Sequence, residues 1–92
     1  MPIKVELLLG SRTRLGAKTL KVTPDRWTVT GLVEALLRDH PELRDALLEE
    51  NGEVSYRYTL LVNDRPVGRG SWDETPLVDR DKVMLLTMVS GG

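Results

Sequence analysis

The stretch Lys82-Val83-Met84-Leu85-Leu86-Thr87-Met88-Val89-Ser90-Gly91-Gly92 has two parts of opposite character. Residues 82–88 are apolar and strand-like, whereas residues 89–92 thin out to two glycines. Side chains alternate faces along a strand, so Val83, Leu85 and Thr87 share one side and Met84, Leu86 and Met88 the other. If the first set packs on a helix, the second is an apolar stripe on the open face of a sheet. A wetted sheet face normally carries polar residues, and methionine suits an adaptable contact. Met84, Leu86 and Met88 therefore read as a surface for a partner, with the inverted parity as the competing assignment. Gly91 and Gly92 have no Cβ and accept conformations closed to other residues. With Val89 and Ser90 as stem, they make a thin, flexible thread bearing the α-carboxylate, suited to a narrow site on another protein. A merely loose or trimmed end is the plainer alternative, because termini are often untethered.

Outward from this stretch, the chain reads as one small domain. Ile3, Val5, Leu7 and Leu9 alternate with Lys4, Glu6 and Leu8, the period of a half-buried strand. Gly10 to Gly16 form a turn region. Leu20 and Val22 alternate with Thr19 and Lys21, which predicts a second strand and a hairpin. Thr28 is placed to cap a helix, and Val29, Leu32, Val33, Leu36 and Leu37 follow at helical spacing. Glu34 and Arg38 form an i,i+4 pair on the opposite face. Pro41 ends the helix at or before His40 and opens a short second helical segment, Glu42 to Leu48, with Leu43, Leu47 and Leu48 turned inward.

Asn51-Gly52 marks a turn. Tyr56 to Val62 is rich in strand formers. Asn63-Asp64-Arg65-Pro66 is a turn, and Arg65 to Val67 is restricted to a short strand by its proline. Residues 68–74 form a loop, and Asp79-Arg80-Asp81 a polar turn before the last strand. The order β-β-α-(short α)-β-β-β is α+β. The helix stripe is covered if the first and last strands lie side by side and parallel, with the helix as crossover. That arrangement is a β-grasp: a mixed sheet of four to five strands with one main helix on one face. It divides the chain into residues 1–88 as the domain and residues 89–92 as its tail.

Composition narrows the setting. With 92 residues the chain buries only about 60 to 68% of its extended surface on folding, so stability is modest. A formal net charge of −1 argues against a nucleic-acid footprint. The absence of cysteine removes disulfides, thiolate nucleophiles and cysteine metal sites. Charges at Lys4 and Glu6 break any signal-peptide core, and no apolar run approaches a membrane span. The expectation is a cytoplasmic protein with no membrane or nucleic-acid partner.

The residues His40-Pro41-Glu42-Leu43-Arg44, Leu61-Val62-Asn63-Asp64, Thr75-Pro76-Leu77, Asp81-Lys82-Val83 and Gly91-Gly92, in that order, resemble the ubiquitin-like sulfur carriers of MoaD/ThiS type. The likeness runs from about Thr28 onward and is nearest the MoaD branch; the first hairpin agrees in pattern only. Arg80, Thr87 and Ser90 depart from many relatives, which have glycine, proline and alanine there. The resemblance implies that an E1-like enzyme of MoeB/ThiF type uses ATP to adenylate Gly92. Sulfur transfer then makes a thiocarboxylate serving a molybdopterin-type, cysteine or thiolated-nucleoside pathway. Gly91 keeps the channel passable. A larger catalytic subunit or the lysines of target proteins are further partners it implies, and no cofactor is bound by the chain itself. On the modifier alternative, Lys4, Lys18, Lys21 and Lys82 are acceptor candidates. A β-grasp interaction domain that is never activated is the remaining alternative.

Other residues carry less. His40, the single histidine, sits where a helix ends and reads as a cap or surface residue. Asp79 and Asp81 suit a polar turn better than an acid pair. Arg12, Arg14 and Lys18 form a solvated basic cluster. Trp72 either covers the core edge or meets a partner. Gly68-Arg69-Gly70 lacks the following helix that a phosphate loop needs. No set of residues assembles a nucleophile, base and oxyanion site, so the chain reads as a substrate and carrier and not as an enzyme.

Overall fold

The computed structural model describes residues 2–8 and 17–87. Its elements are β1 (Ile3–Leu8), β2 (Ala17–Val22), α1 (Val29–Asp39), α2 (Glu42–Leu47), β3 (Tyr58–Val62), β4 (Arg65–Pro66) and β5 (Lys82–Thr87), with a 3₁₀ turn at Arg69–Ser71. The strands form one mixed sheet in the order β2-β1-β5-β3-β4. β1 pairs antiparallel with β2 and parallel with β5, and β5 pairs antiparallel with β3. This is the expected β-grasp, with the first and last strands side by side at its centre.

One face of the sheet makes the core. Ile3, Val5, Leu7, Val22, Leu60, Val83 and Leu85 are buried there against Val29, Leu32, Val33, Leu36 and Leu37 of α1. Leu43 and Leu47 of α2 extend that core, while Leu48 is only half-buried. The Val83/Leu85 set faces the helix, so the inverted parity does not occur.

The start of α1 is fully tied down. Thr28 Oγ1 accepts from Gly31 N at 3.0 Å, while Val29 N donates to Thr75 O (3.1 Å) and Thr30 N to Trp72 O (3.2 Å). Of the first free N–H groups of the helix, those of Val29 and Thr30 are satisfied by the 72–75 segment and that of Gly31 by Thr28, which explains why the Thr75-Pro76-Leu77 motif belongs to the fold. Leu77 is buried and its N–H donates to Trp27 O at 2.8 Å. At the other end His40 N caps onto Leu36 O (2.9 Å), and Pro41 breaks the helix as expected.

Two expectations change. Arg38 does not pair with Glu34; its guanidinium reaches Asp25, in the loop before the helix, and Asp39. Strand β3 begins at Tyr58, not Tyr56. Ser55 folds a turn there, its Oγ accepting from Arg57 N (3.2 Å) and its carbonyl from Tyr58 N (3.2 Å), and such local bonds compete with a ladder. Gly31, in the first turn of α1, packs against the preceding loop: a Cβ there would lie 2.1 Å from Arg26 O.

The 68–74 loop, with its 3₁₀ turn, is anchored to the core through Trp72. Trp72 is buried, and its Nε1 donates to Val67 O at 3.1 Å. Arg69 lies over the rings of both Tyr56 and Trp72 (4.3 and 4.7 Å to the centroids) and donates to Val54 O and Ser55 O. The β3–β4 turn places Asn63 and Asp64 at φ 51° and 69°, the left-handed pair that matches hairpin twist.

Candidate functional site

The face of the sheet away from the helix is the candidate site. Cross-strand register sorts its side chains into rows, because residues directly opposite one another share a face. One row runs Thr19, Glu6, Met84, Leu61, Pro66; the next brings Leu8, Leu86 and Thr59 together. Leu8 is 41% exposed, and Met84, Leu86 and Leu61 are half-buried with no helix above them. These four make an apolar patch across β1, β5 and β3.

Of the side chains read as partner-facing, the structure thus places Met84 and Leu86 together on the open face. Met88, Val89, Ser90, Gly91 and Gly92 lie outside the described residues. Leu8 and Leu61 were not singled out from sequence. Leu8 breaks the alternation of β1 with an apolar residue on the polar parity, and that signal was available. Leu61 sits in a Leu60-Leu61 pair, where only the register with Met84 decides which leucine faces out.

On the same face, Lys21, Lys4 and Lys82 form a third row across β2, β1 and β5. With Asp79, Arg80 and Asp81 they line an open recess of about 620 Å³. Lys82 Nζ lies 3.7 Å from Glu6 Oε1. Asp81 is structural: it accepts from Asn63 Nδ2 (2.9 Å) and Val78 N (2.8 Å), locking the turn before β5 onto the β3–β4 hairpin. Asn63 completes the lock, accepting from Lys82 N at 3.0 Å and donating its own N–H to Lys82 O at 2.8 Å.

The remaining candidates are accounted for. His40 Nδ1 is 3.5 Å from Glu42 at the helix junction, and among the described residues no group of His, Asp or Glu is placed to hold a metal. Arg12 and Arg14 lie outside the described residues, and Lys18 is exposed. No helix among the described residues is long and apolar enough to cross a membrane. The open face thus carries an apolar patch beside a row of lysines.

The profile of the ThiS family matches residues 7–92, and the chain belongs to that family. It is thus a small carrier protein of ThiS type, and carriers of this family are substrates of E1-like enzymes, not catalysts. The match begins at Leu7 and so takes in β2 as well as the region from Thr28 onward; nothing in it singles out the MoaD branch. No curated protein matches the chain in sequence.

Among solved structures, the crystal structure of SAMP1 from Haloferax volcanii is similar over 100% of both chains, at 24% identity and a TM-score of 0.78. The solution structure of small archaeal modifier protein 1 from Methanosarcina acetivorans gives 22% identity and a TM-score of 0.65, covering 100% of this chain and 99% of that one. A chain of the Amycolatopsis orientalis BexX/CysO complex gives the same identity and score over 96% and 99%. These likenesses establish the β-grasp fold.

Proposed function

We propose that the chain is a sulfur carrier whose Gly92 is adenylated by an E1-like enzyme of the MoeB/ThiF type and then converted to a thiocarboxylate. The observation that carries this reading is the combination of a ThiS-family match running through residue 92 with an apolar patch on the strand that leads there. A terminal carboxylate with a pKa of about 3.3 to 3.7 is ionised at neutral pH and resists nucleophiles. Attack of that carboxylate on the α-phosphate of ATP releases pyrophosphate and leaves an acyl-adenylate. A sulfur nucleophile then displaces AMP. The ATP belongs to the activating enzyme; the carrier supplies the acyl group and the docking face.

Residues Val89 to Gly92 reach at most about 13 to 14 Å when extended. That length threads a channel while Met84, Leu86 and their neighbours seat outside it. Gly91 keeps the thread narrow, and Met88, Val89 and Ser90 join it to the docking face. Sulfur then passes to a molybdopterin-type, cysteine or thiolated-nucleoside product, with a larger catalytic subunit as partner in a MoaD-like arrangement. Replacing Gly92 by alanine, or deleting Gly91 and Gly92, abolishes ATP–pyrophosphate exchange by the activating enzyme. Exchange at the full native rate by the truncated chain refutes the reading.

A second reading is favoured by the fold likeness to two small archaeal modifier proteins. On it, the same activated Gly92 is passed to lysines of other proteins. Gly-Gly remnants on the lysines of digested cell proteins identify this outcome, and they are absent if the chain serves only as a carrier.

A further inference from the structure

We infer that the Lys21–Lys4–Lys82 row is a second half of the docking face and selects a protein partner presenting an acidic segment across β2, β1 and β5. This inference deepens the carrier reading and rests on it only for the identity of the partner. Adjacent strands lie about 4.8 Å apart, so the backbone positions of the three lysines fall within a span of about 10 Å. Like charges directly opposite on a sheet destabilise it, and this chain carries a net charge of only −1. The row is therefore a local concentration of positive charge on a nearly neutral molecule.

Its internal compensation is incomplete. Glu6 approaches Lys82, whereas Lys4 and Lys21 have no ion-pair partner among the described residues. Asp81, at the rim of the recess, is committed to Asn63 and the Val78 N–H. Arg80 adds a fourth cation to the lining and Asp79 a second carboxylate, so cations outnumber acids there by four to two. Two residues further along β5, on the same face, Met84 stands opposite Leu61. A polyanion such as nucleic acid has no use for that apolar neighbour. A protein surface with carboxylates beside an apolar ridge matches both, the charge steering the encounter and the apolar patch holding it.

The experiment pairs kinetics with a test that needs no activating enzyme. K4E/K21E is compared with K4R/K21R and native protein in adenylation by the E1-like enzyme, at about 0.01 M and about 1 M salt, where Debye lengths are about 30 and 3 Å. The inference expects KM for K4E/K21E to rise about tenfold or more at low salt and to converge with native at high salt, with K4R/K21R native-like throughout. An unchanged KM at low salt overturns it. Separately, ¹⁵N-labelled native protein is titrated with a glutamate-rich peptide and with duplex DNA. Amide shifts clustered at Lys4, Lys21, Arg80 and Lys82 with the peptide support the inference. No clustered shift, or tighter binding of DNA, overturns it, whether or not the chain is ever adenylated.

Discussion

At Gly31 a single missing atom lets α1 approach the preceding loop: a Cβ would lie 2.1 Å from the Arg26 carbonyl oxygen. That oxygen is backbone, so relief requires the loop or the helix to shift. Gly31→Ala is expected to destabilise the fold by about 1 to 3 kcal/mol, read as a lower denaturant midpoint at unchanged m, although alanine is the better helix former. Tyr58 gives a pH-dependent prediction. Burial raises its phenol pKa above the ordinary 10.0, and its hydroxyl donates to Ala46 O at 2.7 Å. A raised folded pKa leaves the stabilisation intact below the unfolded value and removes it as pH climbs through the folded one. Tyr58→Phe therefore costs about 1 kcal/mol at neutral pH and flattens the alkaline fall in stability, followed by urea titration at a series of pH values. Neither effect was visible in sequence, since both depend on atoms brought in from distant segments. Arg69 is a third such case, its guanidinium joining Val54, Ser55, Tyr56 and Trp72 into one clamp.

Strand β5 separates two roles by parity. Leu85 is buried under α1 and Leu86 lies on the opposite face. Leu85→Ala is expected to lose about 2 to 5 kcal/mol. Met84→Ala and Leu86→Ala are expected to lose less than about 1 kcal/mol each while raising KM for adenylation. Thermal melts and adenylation kinetics on the same three variants check this. Equal stability losses from Leu85→Ala and Leu86→Ala would show that both faces are core. The alternation in Lys82 to Thr87, the Thr28 cap and the Pro41 break were legible in sequence because each is a local pattern. The true start of β3 was not, because Ser55 bonds the backbone before the ladder with β5 begins. Of the two readings of Trp72 the core-edge one holds, since its ring is buried; its backbone bond from Thr30, 42 positions away, was not legible.

For the molecule as a whole, the parallel β1–β5 pair puts the first strand and the strand leading to residues 88–92 at the sheet's centre. The rows of lysines and of apolar side chains arise there only because three strands align in register. Topology was legible from element order, since a helix between two hairpins leaves few ways to cover its stripe. The composition of the open face was legible only in part: Met84 and Leu86 came from parity, but Leu8, Leu61 and the lysine row required the register between strands. The central claim is that this sheet presents Gly92 to an activating enzyme. Intact mass spectrometry after incubation with the E1-like enzyme, ATP and a sulfur donor tests it most directly. The account predicts a mass gain equal to sulfur replacing one oxygen, located in the C-terminal peptide and absent from the chain lacking Gly91 and Gly92. Native protein recovered at its original mass, with no adenylate trapped on the way, would contradict it.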